Sequence, residues 1–368
     1  MTDHQHTATL QTDRRDITRT RWHESAHTAL ADGEVRLRVE HFALTANNAT
    51  YAHLGEAMNY WRFFPQPGDD WACVPVWGYA QVTDSRCAGV SAGERFFGFL
   101  PFASDLVMRP ERVGPQGFVD ASAHRADLPS IYNNYVNVAG DPSHAPDLDA
   151  YNALLRPLFI TSYLIADWLA DREFFGAKAV IISSASSKTA YGTAYALSRL
   201  PDRDRRVVVG LSSADHVAFA EGLGLYDEVL AYDDVATLPP DRPSVYADIS
   251  GSTRVRRAVH EHCTQLRHSV AVGMTHWQEA PSGQPVPDPQ PEFFFAPSQA
   301  EKRAAELGRG EFFAATGRAM EGFVATVARP EDPIMTIAWH RGAEAAEAAY
   351  LVVVEGRSDP QTAAMVAL

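Results

Sequence analysis

Short apolar strands alternate with helical segments between residues 179 and 274, and this alternation limits the possible folds more than any other feature. The strands are predicted at 179–183, 206–210, around Val229 and Leu230, 244–250 and 269–274. Helical patterns lie between them, near 189–200, 214–223 and 252–266. Such alternation indicates βαβ units with right-handed crossovers, and therefore a parallel sheet.

The first third of the chain has β-strand patterning instead. Val35, Leu37 and Val39 alternate with charged residues, which is typical of a half-buried strand. Short apolar runs separated by glycine and proline continue through 93–113, as expected for a small barrel. We therefore predict an α/β fold with two parts, a β-barrel domain and a domain built on a doubly wound parallel sheet.

Composition narrows the function classes. The 368 residues carry a formal net charge of −14, which argues against a nucleic-acid partner, because phosphate binding needs a basic face. No continuous apolar run reaches the length of a membrane span, and the N-terminal residues are polar. We expect a soluble cytoplasmic protein with no membrane partner and with residues 1–15 disordered.

The three cysteines, Cys73, Cys87 and Cys263, are widely spaced and form no CxxC pair. This spacing is incompatible with a four-cysteine zinc site or a disulfide framework. His260 and His262 lie two apart on a predicted helix, so they face apart. We predict that the protein holds no metal.

The junction after the strand 179–183 carries hydroxyls and a lysine where dinucleotide-binding folds carry glycines. A parallel strand leading into a helix N-terminus is an anion site, because the first N–H groups are unpaired and the helix dipole is positive there. Glycines at this turn let the backbone approach a pyrophosphate closely, whereas hydroxyls and an ammonium supply side-chain donors. The predicted phosphate-binding residues are Ser184, Ser186, Ser187, Lys188 and Thr189.

Three interpretations of this junction remain open. It is a dinucleotide turn whose glycines have been replaced, a P-loop, or a polar turn with Ser184 or Ser187 as helix N-cap and Lys188 solvated. The P-loop is disfavoured because 180–187 contain no glycine. A serine hydrolase is disfavoured because no G-x-S-x-G motif is present.

The second and fifth strands of this region end in further candidate cofactor residues. The second ends near Ser212 and Ser213 with no adjacent carboxylate, which favours the 2′-phosphate of NADP(H); alternatively, the two serines cap the next helix. The strand 269–274 would bring Gly273, Thr275 and Trp277 to the same sheet edge, beside a nicotinamide.

The order of parts, together with several segments, resembles the medium-chain dehydrogenase/reductase superfamily. The similar segments are 33–45, 74–99, 158–169, "VIISSASSKTAYGTAYAL" at 180–197, 221–234, 246–252 and 342–360. Together with "NNATYAHLGEAMNYWRFFP" and "FFFAP", the turn "SSASSKTA" resembles a poorly characterised, quinone oxidoreductase-like branch of that superfamily. Ser184, Ser187 and Ala190 stand where the three glycines of the family motif stand.

The resemblance implies a GroES-like catalytic domain at 16–148 and 298–368 and a Rossmann-type domain at 149–297. It places Thr161 near the cofactor and implies a zinc-independent enzyme, because the early loop carries no cysteine. Some relatives without zinc use a tyrosine of this loop as proton donor, so Tyr51 and Tyr60 are the catalytic candidates, with Asn48 as a carbonyl-binding group or a turn residue.

The function expected from these features is NADPH-dependent reduction of an enone, a quinone or a related carbonyl-conjugated small molecule. The resemblance also allows a homodimer. Two alternatives stay open: a non-redox enzyme of the same fold that binds a substrate phosphate or carboxylate at the Ser/Lys turn, and a protein that binds a nucleotide or metabolite without turnover.

Overall fold

The computed structural model describes residues 5–141, 144–202, 206–272, 286–329 and 331–368. The chain forms two compact units. Unit 1 comprises residues 1–154 and 335–368, and unit 2 comprises residues 155–334.

The described residues of unit 1 form two sheets. Their strands are β1 (His6–Asp13), β2 (Thr20–Ala26), β3 (Val35–Leu44), β4 (Trp71–Cys73), β5 (Pro75–Ser85), β6 (Arg95–Pro101), β7 (Asp105–Met108), β8 (Pro110–Gly114), β9 (Gly117–Asp120), β10 (Asn134–Asn137), β17 (Thr336–Arg341) and β18 (Thr362–Ala367). The smaller sheet has the order β2-β1-β4, and the larger one β17-β18-β3-β5-β6-β10-β9-β8, with β7 also paired to β3. Almost every pairing is antiparallel, whereas β17 and β18 are parallel.

Helices α1 (Ala46–His53) and α8 (Ala343–Val354) also belong to unit 1 and pack on its core. Thr45 caps α1: its hydroxyl accepts from the Asn47 N–H, 3.2 Å away, and the Asn48 side chain accepts from the Thr45 N–H. Such reciprocal capping starts the helix directly at the end of β3.

Residues 6–13 form a strand, contrary to the prediction that residues 1–15 are disordered. His6–Asp13 forms strand β1, and its second half is buried. The strand pairs with β2 on one side and with β4 on the other. The prediction was wrong because this polar strand is stabilised by pairing with the next strand, β2, and with the more distant β4.

The described residues of unit 2 form one parallel sheet of six strands. They are β11 (Ala179–Ser183), β12 (Val207–Ser212), β13 (Glu228–Ala231), β14 (Ser244–Asp248), β15 (Leu266–Ala271) and β16 (Glu292–Phe293). Their spatial order is β13-β12-β11-β14-β15-β16, and every pairing is parallel. Numbered along the chain, this is the order 3-2-1-4-5-6 of dinucleotide-binding sheets, in which the direction of winding reverses between β11 and β14.

Helices cover this sheet, and small residues let two of them approach closely. The helices of unit 2 are α2 (Asp149–Asp171, whose first turns belong to unit 1), α3 (Lys188–Ser198), α4 (Val217–Gly222), α5 (Thr253–His262), α6 (Ala296–Leu307) and α7 (Arg309–Val327). A Cβ on Gly192 of α3 would lie 2.7 Å from the Ser162 hydroxyl of α2. Glycine is therefore needed where these helices pack.

The returning helices α6 and α7 belong to unit 2, whereas residues 298–334 were predicted to join the barrel domain. The Phe323 ring of α7 stacks on Phe159 of α2, with centroids 4.5 Å apart, and it also contacts Tyr195 of α3. Helix α6 begins at Ala296 without a side-chain cap.

One stretch of the described residues, Pro146–Asp171, is long and apolar enough to cross a membrane. Just over half of its most apolar window, 56%, is buried inside the protein. Core helices of soluble proteins have the same character.

Candidate functional site

The turn after β11 keeps a backbone shape that normally requires glycine. Ser184 has φ 58°, in the left-handed region, and its side chain is nearly buried. Its N–H donates to the Tyr232 hydroxyl, 3.2 Å away, and its carbonyl accepts from the Ser187 N–H at 2.7 Å. The serine at the first glycine position therefore adopts the glycine-like conformation, and these two bonds hold it there.

Ser187 is the N-cap of α3. Its hydroxyl accepts from the Ala190 N–H at 3.3 Å, which is one of the roles left open for it by the sequence. Lys188 and Thr189 form the first turn of the helix, where N–H groups lack intrahelical acceptors. All three side chains are partly exposed, so the helix N-terminus at the carboxyl edge of the sheet has the properties of an anion site.

A buried polar network ties the ends of β11 and β14 together. Ser183 is fully buried; its hydroxyl accepts from the N–H groups of Ile249 and Ser250, each 3.0 Å away, and donates to Asp248 Oδ1 at 3.0 Å. Asp248 is also fully buried, and Arg256 pairs with its Oδ2 at 2.7 Å. The guanidinium neutralises this carboxylate, which would otherwise repel an anion at the reversal point of the sheet.

A second polar group brings the ends of β11 and β12 together. Ser213 Oγ lies 3.1 Å from His216 Nδ1, and Ser186 Oγ lies 3.5 Å from the same nitrogen. Ser212 Oγ lies 3.5 Å from Ser186 Oγ. The structure thus places four of the residues together: Ser186, Ser212, Ser213 and His216.

Of these four, His216 was missed by the sequence analysis. The three-residue spacing from Ser213 to His216 within a predicted helix start was the available signal. Ser213 precedes the 3-10 turn Ala214–His216 without a side-chain capping bond, so its hydroxyl faces the histidine instead.

Two tyrosines beneath the turn were also missed. The Tyr226 hydroxyl donates to the Ala185 carbonyl at 2.9 Å, and Tyr232 holds the Ser184 N–H. Burial raises the pKa of Tyr232 to about 12, and the hydrogen bonds from Ser184 act in the opposite direction. Both phenols are therefore neutral at physiological pH and support the backbone of the turn.

The other predicted cofactor residues are less defined. Thr161 lies on α2 with a partly exposed side chain, and its predicted role near the cofactor stays a prediction. Gly273, Thr275 and Trp277 lie outside the described residues. Strand β15 ends at Ala271, next to β14 at the same edge of the sheet.

In unit 1, the structure gathers the predicted tyrosines into an aromatic cluster. Tyr51 and Tyr60 have ring centroids 4.6 Å apart, and the hydroxyls of Tyr60 and Tyr132 are 3.4 Å apart. The Tyr51 hydroxyl accepts from Asn47 Nδ2 at 2.8 Å and from Trp77 Nε1 at 3.1 Å. Burial raises the pKa of Tyr51 and of Tyr60, so both are protonated phenols.

Asn48 has a structural role, and its catalytic role stays a prediction. It is buried, its Oδ1 accepts from the Thr45 N–H at 2.8 Å, and its Nδ2 donates to the Pro75 carbonyl at 2.9 Å. These bonds cap α1 and tie it to β5. The turn-holding alternative, which the sequence left open, describes this residue.

Among the described residues, no three His, Cys, Asp or Glu side chains are grouped as a metal site. His260 and His262 bond to separate parts of the fold: His260 to the Pro287 carbonyl and Ser269, and His262 to the Leu238 carbonyl. The absence of a resident metal stays a prediction.

The donors at the carboxyl edge of the unit 2 sheet fit a dinucleotide. A helix N-terminus, several hydroxyls and a lysine lie at the reversal point, and the one buried carboxylate described there is paired with an arginine. Ser184, which begins the turn, has the left-handed backbone conformation that a glycine would adopt there.

The sequence matches one family model, described as "Protein of unknown function (DUF2855)", over residues 42–359. The chain belongs to this family. No curated protein matches the sequence.

Solved structures show the same fold over the whole chain. CurA from Vibrio vulnificus in complex with NADPH is 15% identical, with a TM-score of 0.64 and 98% of each chain covered. A candidate NADPH:quinone reductase from Mesorhizobium loti is 12% identical, with a TM-score of 0.63 and 100% of each chain covered. The yhdH oxidoreductase from Salmonella enterica in complex with NADP is 14% identical, with a TM-score of 0.54, covering 98% of this chain and 99% of its own.

These similarities confirm the predicted fold class, a GroES-like barrel with a Rossmann-type parallel sheet. At the level of the fold, the chain is thus similar to CurA and to a candidate NADPH:quinone reductase.

Proposed function

We propose that this protein is an NADPH-dependent oxidoreductase that reduces a carbonyl-conjugated small molecule such as an enone or a quinone. The observation that carries the proposal is the reversal point of the β13-β12-β11-β14-β15-β16 sheet, where an anion-binding helix N-terminus follows β11. Solved structures of the same fold contain NADPH in CurA and NADP in yhdH.

In this proposal, the residues after β11 bind the pyrophosphate. The N–H groups at the start of α3 and the Lys188 ammonium supply the charge complement, and the hydroxyls of Ser186 and Thr189 supply further donors. Ser187 acts through its cap, which fixes the start of the helix. Ser184 and Tyr232 set the shape of the turn.

Ser212, Ser213 and His216 would read the 2′-phosphate. Strand β12 ends in two hydroxyls, whereas an NAD-specific sheet carries a carboxylate for the ribose 2′-OH at this place. The imidazole edge and the hydroxyls of this group can all donate to phosphate oxygens. The group therefore favours NADPH over NADH.

The cofactor, when bound, supplies hydride chemistry, and the chain supplies orientation and the proton. Tyr51 and Tyr60 are the proposed proton donors, because each is a phenol held neutral by burial. Without a metal, such a phenol protonates the reduced carbonyl-conjugated product. Thr161, Gly273, Thr275 and Trp277 remain proposed cofactor contacts.

We further propose that the protein is soluble and cytoplasmic, acts on a small molecule without nucleic-acid or membrane partners, and can form a homodimer. The barrel domain would carry the catalytic tyrosines, and the parallel-sheet domain the cofactor, with the domain boundaries drawn at residues 154 and 335.

Thermal-shift measurements with NADPH, NADH and ADP, followed by oxidation assays on enone and quinone panels, test this proposal. A ligand that binds only the folded protein raises the Tm, so NADPH is expected to raise it more than NADH. Loss of reduced-nicotinamide absorbance with an enone or quinone would support the oxidoreductase. Binding without oxidation would favour a nucleotide-sensing protein, and binding of phosphate or carboxylate compounds alone would favour a non-redox enzyme.

A further inference from the structure

The Tyr51 hydroxyl has a hydrogen-bonding arrangement that its neighbouring phenols lack. Trp77 Nε1, 3.1 Å away, can only donate, and Asn47 Nδ2 donates from 2.8 Å. The phenol oxygen therefore accepts both bonds. Within the part of the chain that the structure describes, no hydrogen bond joins the Tyr51 proton to a protein acceptor, and the side chain is only 4% exposed.

Tyr60 differs in this respect. Its hydroxyl faces another phenol, Tyr132, at 3.4 Å, and either oxygen can be the donor. If Tyr60 lost its proton, the described residues would offer its oxygen one long hydrogen bond, from the Tyr132 hydroxyl. If Tyr51 lost its proton, two N–H groups already point at the oxygen.

The two donors are held rigidly by the fold. Trp77 lies on β5 opposite Phe99 of β6, and its ring packs against Phe99 with centroids 5.1 Å apart. Asn47 lies one helical turn before Tyr51 on α1, which is itself capped by Thr45. Preorganised donors of this kind stabilise a charge that appears only during the reaction.

We infer that Trp77 and Asn47 are positioning residues that prepare Tyr51 to act as the proton donor of the reduction. This inference rests on the proposed function. As hydride adds to one carbon of the conjugated system, the O–H bond of Tyr51 breaks and its proton bonds to the electron-rich atom that results. The phenolate left behind is stabilised by the two N–H groups and regains a proton from water.

The contact itself is tested by NMR without any turnover. The chain contains seven tryptophans, so the Trp77 indole N–H resonance is identified as the one that W77F removes. Y51F, which deletes the acceptor oxygen, should shift that resonance upfield, whereas Y60F should leave it nearly in place. W339F, at an exposed tryptophan of β17, is the matched control and removes a resonance that Y51F does not move. A Trp77 resonance unaffected by Y51F overturns the inference.

Kinetics with NADPH and an enone then test the role. Y51F should lower kcat about 100-fold or more, as loss of a general acid does. W77F should lower kcat about 10-fold or more with KM nearly unchanged, because the bond strengthens only in the charged state. N47A should act in the same direction. W77F should have little further effect in the Y51F background, whereas W339F should match the wild type.

The outcomes separate the two claims. If the wild type oxidises NADPH but the W77F and Y51F losses multiply independently, or Y60F is the more damaging variant, this inference fails and the proposed function stands. If the wild type fails to oxidise NADPH with every enone and quinone tested, the proposed function fails. This inference then fails with it, whatever the NMR spectra show.

Discussion

The Ser183 hydroxyl lies 3.0 Å from Asp248 Oδ1 and joins the carboxyl ends of β11 and β14 inside the protein. The same hydroxyl accepts two N–H groups of the segment after β14, and Arg256 pairs with the other carboxylate oxygen. Buried hydrogen bonds and an ion pair therefore hold the strand ends together at the reversal point of the sheet, where the candidate cofactor site lies.

Ser183→Ala should destabilise the protein by about 1–3 kcal/mol, because it leaves two backbone N–H groups and a carboxylate oxygen with one fewer partner each in a buried place. Denaturant unfolding measures this loss. Ser25→Ala, at an exposed serine of β2, is the matched control and should stay within about 0.5 kcal/mol of the wild type. Equal, small effects of both variants would show that the network does not stabilise the turn.

His216→Ala should reduce the preference for NADPH over NADH by about tenfold, through loss of a charge-assisted hydrogen bond to the 2′-phosphate. The measurement is the ratio of the two dissociation constants, determined by titration. NADH affinity is the internal control, since NADH lacks that phosphate. A parallel fall in both affinities would mean that His216 supports the fold and does not read the phosphate.

Acid should destabilise the protein through His260. Burial lowers the pKa of this buried imidazole, and nearby Arg256 adds to the effect, although the bond to the Pro287 carbonyl and the Asp248 charge oppose it. The unfolded state, with a histidine pKa of about 6.5, then binds the proton first. The stabilising contribution is present above about pH 6.5 and is lost as the pH falls towards the lower folded pKa.

His260→Gln tests this pH dependence, because it removes the titrating group and keeps a polar side chain. Denaturant unfolding between about pH 7.5 and pH 5 should show a shallower loss of the free energy of unfolding in the variant, by up to about 1.4 kcal/mol per pH unit. The other histidines are common to both proteins and cancel in the difference. Identical slopes would contradict a neutral, buried His260.

The parallel sheet was predictable from the sequence because its strands are short, apolar and separated by helical patterns. The strand predicted at 179–183 has those bounds in the structure, and the one predicted at 244–250 ends two residues earlier, at Asp248. The local signal is sufficient there because each strand is buried on both faces.

Elements that depend on distant partners were not predictable. Strand β1 is polar in sequence and pairs with the distant β4 as well as with the neighbouring β2. Helix α7 joins unit 2 through the stacking of Phe323 on Phe159. The sequence pattern of β1 or of α7 does not indicate which part of the protein that element will pack against.

The candidate site divides in the same way. The hydroxyls of the turn and the cap by Ser187 follow from the local sequence. The support from Tyr232 and the link from Ser183 to Asp248 join residues 48 and 65 positions apart, so only the folded chain reveals them.

A calorimetric titration of NADPH into the wild type, Lys188→Ala and Lys178→Ala tests the central claim most directly. Lys178 is the matched control, because it is exposed at the opposite, amino end of β11. The account predicts that the wild type and Lys178→Ala bind NADPH alike, and that Lys188→Ala binds more weakly by about 1.5–3 kcal/mol. A wild type that takes up no NADPH, or a Lys188→Ala variant of unchanged affinity, would contradict it.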